Sequence, residues 1–512
     1  MNFIKDLKFW LMVTIGLIYL ALAYHYRWVS SDGLSVVYQS YNVINGLGLV
    51  WNFAERTYVS TSPLFTLLSI PLTYISDLFL NLFGFSENKI LSIPIFINLL
   101  FSGATFFLIL KFAYSKSKKL DISKLIILGL CFILLFFSKF FLHYSTSGLE
   151  NSLSYFVISA FAILAMSPGN SKTIFWLPVA AALVFLTRYD FLLIIAPTML
   201  YYLFRNKITP GFQIMALIVI LWFVFSFLYF GNIFPNSFYL KANLDFNQSL
   251  YYSRKNLFES KPMFLIIILG LYTSFIANKR IFLGIFSYLI YIFIVRDYML
   301  GRLFTPLIPL CIITIIEFIA ERNLSEYKNN FFKIYTPGLI VAGIIFYFLP
   351  VIKLYEDKLT KGRYWVSDER AFYLKPPSNF PEMKFRYIKP NPKVTFVDYC
   401  YSMLHEPLMV SNNQYNAYYL DPMGLASPFV TYYTKNYGGT GSRPGHRKAD
   451  IDFLKNNGVF ESYVENKNLI KNKNLSELFD DVNIVSKGDI FDLTRIKTII
   501  KLHTHNYKQD IN

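Results

Sequence analysis

Residues 28–68 read WVSSDGLSVVYQSYNVINGLGLVWNFAERTYVSTSPLFTLL and directly follow the first hydrophobic segment of the chain. We therefore expect this stretch to begin at a membrane surface, with Asp32 close to the end of the first helix. Apolar residues recur at helical spacing until an Asn-Gly-Leu-Gly run at 45–48 interrupts the pattern. Thr61-Ser62-Pro63 predicts a second amphipathic helix, with Thr61 or Ser62 as N-cap and Pro63 as its first residue. A connection this long and structured indicates more than a link between two spans.

The composition indicates a multi-span helical membrane protein. Of the 512 residues, 54% are hydrophobic and 16% are charged, and the mean hydropathy is +0.40. Globular chains carry roughly a quarter charged residues. The net charge of +17 comes from basic residues between apolar runs, which favours cytoplasmic loops and anionic membrane lipids over nucleic acid as partners. Three cysteines do not form a disulfide framework.

The distribution of lysines predicts the topology. Lys5 and Lys8 precede an apolar run with no signal-peptide cleavage site, so we expect a retained first span and a cytoplasmic N-terminus. If 63–83 were a span, the lysine cluster of residues 116–124 would lie outside, against the positive-inside rule. We therefore expect 63–83 to lie along or dip into the outer surface, within one external region, 26–88. This arrangement gives about eleven spans and an external tail.

The predicted domain boundary follows the eleventh span. Residues 1–353 would form a transmembrane module, and 354–512 an external C-terminal domain of mixed α/β structure. In that domain, 394–397 has the pattern of a buried strand, Asp421-Pro422-Met423-Gly424 that of a turn, and 438–445 that of a flexible loop. In a Gram-negative cell, the protein would be a multi-pass inner-membrane protein with a periplasmic C-terminal domain.

A set of polar residues interrupts the apolar runs on the predicted outer side. Its members are Asp32, Glu150, Arg188, Asp190, Asn236, Lys241, Arg296, Asp297 and Arg302. Ionisable groups at membrane depth are costly and are usually paired or functional. Arginine binds phosphate through two parallel hydrogen bonds, and carboxylates bind or deprotonate hydroxyl groups. The set therefore predicts a polar chamber, open to the outer leaflet, for a substrate with phosphate and hydroxyl groups. Nucleotide-binding loops and zinc-ligand spacings do not occur in the sequence.

Seven of these nine residues also have a structural interpretation, which stays open at this point. Asp32 could be an ordinary interfacial acid, and Glu150 could cap the N-terminus of the fourth span. Arg188 and Asp190 could form a local salt bridge. Arg296, Asp297 and Arg302 could be charged anchors that reach from the span ends to the membrane surface.

Short motifs follow one another along most of the chain. They are Asp32, Gly46-Leu47-Gly48, Asn52, Thr61-Ser62-Pro63-Leu64, Thr146-Ser147-Gly148-Leu149-Glu150, Thr187-Arg188-Tyr189-Asp190, Pro235-Asn236-Ser237-Phe238-Tyr239-Leu240-Lys241, Asp297-Tyr298-Met299-Leu300-Gly301-Arg302, Asp421-Pro422-Met423-Gly424-Leu425 and Arg443-Pro444-Gly445-His446. In this order they resemble the GT-C superfamily of integral-membrane glycosyltransferases, and most closely the bacterial terminal arabinofuranosyltransferase type. The chain departs from that pattern at one point, because Ser31-Asp32 stands where the family usually has two acids.

The resemblance implies a reaction between two envelope substrates. A polyprenyl-phosphate sugar would enter from the outer leaflet, and Asp32 would deprotonate the hydroxyl of a glycan or glycolipid acceptor, such as lipopolysaccharide, which attacks with inversion. Arg188, Lys241 and Arg302 would bind the phosphate. The other predicted substrate contacts are Glu150, Asp190, Asn236, Asp297 and His446. No cofactor is required, although a divalent cation bridging the phosphate and a carboxylate, with Asp32 as a ligand, fits the chemistry.

Two other function classes remain open. A transporter or flippase of lipid-linked sugars would need the polar chamber but no base, although transporters often show internal repeats and this sequence shows none. A non-catalytic glycolipid-binding envelope protein would accommodate Ser31 in place of an acid. The Asp32→Asn substitution separates these classes from an enzyme, because only an enzyme loses its activity with the loss of the base.

Overall fold

The structure is a computed structural model of the 512-residue chain. It describes residues 7–52, 55–82, 89–117, 129, 138–167, 171–206, 208–240, 246–259, 261–295, 297, 299–321, 370, 421, 424–435, 450–465 and 469–504. About 80% of the described residues are helical, and no strand occurs among them beyond one isolated bridge between Asn52 and Glu55. The predicted helical class is thus confirmed. The predicted strand at 394–397 lies outside the described residues, so the α/β character of the tail stays a prediction.

Nineteen α-helices are described. In chain order they are α1 (Leu7–His25), α2 (Ser31–Ile44), α3 (Pro63–Leu82), α4 (Lys89–Ser117), α5 (Lys139–Tyr144), α6 (Asn151–Met166), α7 (Ser171–Thr187), α8 (Leu192–Asn206), α9 (Pro210–Phe230), α10 (Asn236–Leu240), α11 (Phe246–Glu259), α12 (Lys261–Ala277), α13 (Lys279–Ile294), α14 (Leu307–Glu321), α15 (Pro428–Lys435), α16 (Ile451–Asn456), α17 (Val459–Glu465), α18 (Lys473–Lys487) and α19 (Leu493–Thr504). A short 3₁₀ helix, Tyr189–Phe191, separates α7 from α8.

The chain divides into two compact units that alternate along the sequence. The first unit takes its residues from Met1–Ser30, Pro94–Leu217 and Leu244–Pro376, and the second from Ser31–Ile93, Ile218–Asn243 and Pro377–Asn512. The domain boundary that the sequence predicts, between residues 353 and 354, lies outside the described residues. That boundary therefore stays a prediction.

Three described helices are long and apolar enough to cross a membrane: α3, residues Leu91–Lys116 of α4, and α9. A fourth is added if α11 and α12, which meet at an angle of 99°, form one span. Four shorter apolar helices, of 10–17 residues, lie at Val13–His25, Asn151–Met166, Ser171–Thr187 and Leu307–Ala320. The described helices are thus consistent with a helical membrane protein, and the predicted number of about eleven spans is not reached within the described residues.

Helix α3 bears on one topological expectation. The sequence placed 63–83, which contains Pro71 and Asp77, along or into the outer surface because a span there would put the lysine cluster of residues 116–124 outside. In the structure, α3 continues through Pro71 for 20 residues and qualifies as a span by length and composition. Asp77 accepts hydrogen bonds from the Tyr41 hydroxyl at 3.0 Å and from the Asn81 amide at 3.0 Å. Because these bonds satisfy its carboxylate, Asp77 does not end the helix.

The boundaries predicted around the opening stretch agree with the structure. Helix α2 ends at Ile44, and Gly46 and Gly48 follow with φ angles of 77° and 89°, a conformation that glycine adopts without strain. Helix α3 begins at Pro63, as predicted. The N-cap bond differs, because the Ser62 hydroxyl is buried without a hydrogen bond whereas that of Ser60 accepts the Ser62 N–H at 3.2 Å.

In the first unit, small residues allow helices to approach closely. A side chain at Gly270 of α12 would overlap Cys311 of α14, and one at Gly284 of α13 would overlap the Ile194 carbonyl of α8. The hydroxyls of Thr273 and Thr314 meet across α12 and α14 at 3.2 Å. Such contacts are typical of membrane helices, where packing and hydrogen bonds replace the hydrophobic effect between helices. They fix the helices whose ends carry the polar cluster described below.

In the second unit, an apolar core joins α15 to α19. Its buried side chains include Phe429, Tyr433, Leu478 and Ile499. Arg495 of α19 is also fully buried and donates to the carbonyls of Val485 at 2.8 Å, of Tyr229 at 2.9 Å and of Leu228. The guanidinium group thus provides donors for carbonyls at the C-terminal ends of α18 and α9, which have no partner within their own helices.

Candidate functional site

Glu150 is the residue on which the polar cluster of the first unit converges. It immediately precedes α6, but its side chain makes no capping hydrogen bond to that helix. Its Oε1 instead accepts from Arg188 Nη1 at 2.6 Å and from Arg302 Nη2 at 3.1 Å. The interpretation of Glu150 as a helix-capping side chain is therefore wrong, because its carboxylate binds two guanidinium groups instead of the N–H groups at the start of α6.

Arg188 is positioned by the break between α7 and α8. It has an extended backbone, with φ −156° and ψ 131°, which ends the apolar helix α7. Its Nε and Nη2 donate to the two carboxylate oxygens of Asp190 at 3.0 and 2.9 Å. The local Arg188–Asp190 salt bridge that the sequence left open is thus present. It coexists with the bond to Glu150, since a guanidinium group has five N–H donors.

Arg302 reaches Glu150 from the segment that precedes α14. Its Nη2 lies 3.1 and 3.3 Å from the two carboxylate oxygens, and its Nη1 donates to the Met299 sulfur at 3.0 Å. The Asn151 amide holds this segment by donating to the Arg302 carbonyl at 2.9 Å and to the Thr305 hydroxyl at 3.1 Å. Arg302 is 7% exposed, so it is not a surface anchor, as one interpretation of the sequence had it.

These four side chains, which we call the Glu150 network, carry two positive and two negative charges. Burial by itself would raise the pKa of Glu150, but the positive charges of Arg302 and Arg188 outweigh it and hold that pKa at about 2. Glu150 is therefore ionised at neutral pH. Glu150 and Arg302 are nearly fully buried, whereas the side chains of Arg188 and Asp190 are 16% and 10% exposed. The pair of Arg188 and Asp190 thus forms the accessible edge of the network.

Asp297 lies in the same segment as Arg302, but its described contacts are local. Its Oδ1 accepts the Met299 N–H at 3.2 Å. It lines a small cavity together with Tyr252, Asn256 and Met299, among others. Asn256 also accepts the N–H of Gly301 at 2.5 Å, which fixes the turn before Arg302. Asp297 therefore borders the segment that positions Arg302.

Two predicted residues belong to the second unit. Asp32 lies in the first turn of α2, partly buried, and its carbonyl accepts the Ser35 hydroxyl at 2.7 Å. Asn236 is buried and donates to the Leu425 carbonyl at 3.0 Å and to the Thr431 hydroxyl at 3.1 Å. Its amide thus links α10 to α15. The single chamber that would combine these residues with the Glu150 network stays a prediction.

Three predicted residues, Lys241, Arg296 and His446, lie outside the described residues. Within the described ranges there is no group of three or more His, Cys, Asp or Glu side chains that could hold a metal ion.

Sequence reasoning missed two residues of the network's surroundings. Asn151 directly follows Glu150, and Tyr291 lies near enough to Asp190 to interact with its negative charge. Both lie beside predicted residues, but an amide at the start of an apolar helix and a tyrosine within one carry no distinctive signal. Comparisons with protein-family models, with curated proteins and with solved structures find no match to this chain.

Proposed function

We propose that the protein is an integral-membrane glycosyltransferase of the GT-C type. It would move a sugar from a polyprenyl-phosphate donor to a glycan or glycolipid acceptor at the outer face of the inner membrane, through a module of about eleven spans. The observation that carries this proposal is the Glu150 network, in which two arginines from distant segments meet at one buried carboxylate. Arginine fixed in this way is suited to phosphate, because its donors already have a defined orientation.

The accessible edge of the network suggests how the donor binds. Arg188 would bind the donor phosphate with its partly exposed guanidinium group, while Glu150 and Arg302 keep that group in place. Asp190, held by the other side of Arg188, would accept a hydrogen bond from a sugar hydroxyl. In this scheme the carboxylates orient the arginine, and the positive charge of Arg188 stabilises the charge that develops on the departing phosphate.

Asp32 is the proposed general base. Its carboxylate would take the proton of the acceptor hydroxyl, whose oxygen attacks the anomeric carbon of the donor and inverts it. The electron pair of the broken carbon–oxygen bond leaves with polyprenyl phosphate. Support for Asp32 comes from its position in the first turn of α2, immediately after the first hydrophobic helix. No step of this scheme passes through a metal ion.

One observation favours a second candidate, a non-catalytic protein that binds envelope glycolipids. The four charges of the Glu150 network sum to zero and pair with one another, as they would in a purely structural ion cluster. A structural cluster would tolerate the loss of Asp32 and would not select among donors.

A transfer assay tests the proposed function. Membranes from cells with and without the protein are supplied with radiolabelled polyprenyl-phosphate sugars, and label is followed into envelope glycan. We expect transfer with the wild type, at least a hundredfold less with Asp32→Asn because the base is lost, and near-normal transfer with the matched control Asp77→Asn. Equal transfer by wild type and Asp32→Asn would show that Asp32 is not the general base. An absence of transfer from every donor offered would favour the non-catalytic function.

A further inference from the structure

A short turn in the second unit exposes large apolar side chains where water would be expected. Residues 488–492 connect α18 to α19. Phe491 in this turn is 77% exposed, and Leu493, the first residue of α19, is 71% exposed. Helices α18 and α19 contribute buried side chains such as Leu478 and Ile499 to a neighbouring apolar core. The exposure of Phe491 and Leu493 is therefore not explained by the absence of a core in this unit. Two large apolar side chains exposed together at one turn mark a candidate contact with a partner or with a lipid surface.

The position of this turn is set by Arg495. Its Nη1 donates both to the carbonyl of Ile490, at 3.4 Å, and to the carbonyl of Leu228. The residue before Phe491 therefore shares a hydrogen-bond donor with the last turn of α9. Gly231, just after α9, packs against Val485 and Ile499, and its carbonyl lies 2.8 Å from His503 Nε2. Helices α18 and α19 are thus attached to the end of α9.

Helix α9 is one of the three described helices that are long and apolar enough to span a membrane. It has 21 residues, and only 22% of its most apolar 18-residue stretch is buried inside the protein. Side chains such as Ile220 and Leu221 are 57% and 58% exposed. When α9 crosses the bilayer, its end lies at the membrane interface, and the turn that shares a donor with this end lies there too.

We propose that Phe491 and Leu493 insert into the lipid surface next to the end of α9 and anchor α18 and α19 to the membrane. The partner is the boundary between headgroups and acyl chains, where aromatic and leucine side chains are favoured. The exposed residues Lys487 and Lys497, on either side of the turn, have the charge to contact lipid phosphates.

The backbone of the turn is suited to this environment. The Asp489 carboxylate accepts the Phe491 N–H at 3.2 Å, and the Asp492 carboxylate accepts the Thr494 N–H at 2.9 Å. The Asp492 N–H donates to the Asp489 carbonyl at 3.3 Å. Donors that would be costly to take out of water are therefore already satisfied within the turn.

Site-directed spin labelling of the full-length protein in lipid nanodiscs tests this proposal. The native cysteines at 131, 311 and 400 are replaced by alanine, and single cysteines are introduced as Phe491→Cys or Leu493→Cys for labelling. Glu477→Cys, at an exposed charged position of α18, is the aqueous control, and Ile220→Cys on α9 is the lipid control. Collision with oxygen reports lipid contact, and collision with a water-soluble nickel chelate reports contact with water.

We expect the ratio of oxygen to nickel accessibility at 491 and 493 to resemble that at 220 and to exceed that at 477 several-fold. A ratio at 491 and 493 as low as that at 477 would place the turn in water and overturn the proposal. Protection from both reagents would show that protein covers the turn, which also overturns it. A ratio at 220 as low as that at 477 would show that α9 does not lie in the membrane, and this result would also overturn the proposal.

Discussion

Each unit contains a site with buried arginine, and the hydrogen-bond partners of the guanidinium groups differ between the two sites. In the first unit, Arg188 and Arg302 donate to the carboxylates of Glu150 and Asp190. In the second unit, Arg495 is buried completely, and its described hydrogen bonds go to main-chain carbonyls at or near helix ends. Carbonyl partners suit a residue that only holds helices together, because they cannot be exchanged for a ligand. Carboxylate partners occur where an anion, such as phosphate, could compete for the same arginine.

The largest effect should follow from breaking the carboxylate-centred site. Glu150→Gln removes the negative charge that two buried arginines share, and an uncompensated buried charge is costly. We expect a loss of about 3–5 kcal/mol in the free energy of unfolding, measured as a lower midpoint of thermal unfolding in detergent. The exposed Glu477→Gln serves as the matched control and should change little. A Glu150→Gln variant as stable as the wild type would show that the Glu150 network does not stabilise the fold.

The carbonyl-centred site should be somewhat less sensitive. Arg495→Met keeps most of the apolar volume but leaves the carbonyls of Val485, Leu228 and Tyr229 without their donor. We expect a loss of about 3 kcal/mol, because water reaches some helix-end carbonyls once the guanidinium group is gone. Lys497→Met, at an exposed position of the same helix, is the control. Equal stability of the two variants would show that Arg495 does not hold α18 and α19 to α9.

A smaller effect is expected at the accessible edge of the network. Asp190→Asn keeps the shape of the side chain but weakens its two hydrogen bonds to Arg188 by removing their charge. Because both side chains are partly exposed and Arg188 retains Glu150, we expect a loss of about 1–2 kcal/mol in the same unfolding experiment. A loss as large as that of Glu150→Gln would contradict the distinction between the edge and the interior of the network.

The smallest effect concerns pH. The pKa of Glu150 is depressed to about 2 in the folded protein, from its ordinary value of 4.5. Its stabilising contribution is therefore complete above pH 4.5 and is lost only as the pH falls towards 2. The difference in unfolding midpoint between wild type and Glu150→Gln should stay constant from pH 8 to pH 5 and shrink below pH 4. A difference that already falls between pH 7 and pH 6 would mean that Glu150 is not held by the two arginines.

The sequence predicted the parts of the fold that depend on local signals. The end of α2 before Gly46, the start of α3 at Pro63 and the break at Arg188 all follow from glycine, proline or charge within an apolar run. The surface placement of 63–83 stays a prediction, because α3 qualifies as a span by its length and composition alone. The hydrogen bond from Tyr41 to Asp77 was not predicted, because it depends on how helices pack, which a local pattern does not contain.

In the candidate site, too, the sequence did not predict contacts that depend on how helices pack. Charges that interrupt apolar runs identified Glu150, Arg188, Asp190 and Arg302 as a set, but their pairing joins residues up to 152 positions apart. The sequence therefore favoured a helix cap for Glu150, which was the local alternative. Arg495 had no signal at all, since an arginine in an amphipathic helix is usually exposed. Asn236 was predicted to contact substrate, whereas in the described structure its amide links α10 to α15.

The most direct measurement of the central claim is the affinity of the purified protein for a radiolabelled polyprenyl monophosphate in nanodiscs. The wild type is compared with Arg188→Met and with the control Lys497→Met, after both variants are shown to be folded. If Arg188 binds the donor phosphate, its replacement should weaken binding at least tenfold and leave the control unchanged, since a charge-assisted hydrogen bond contributes about 1.5–3 kcal/mol. Equal binding by all three proteins would mean that the Glu150 network is structural and that the phosphate binds elsewhere.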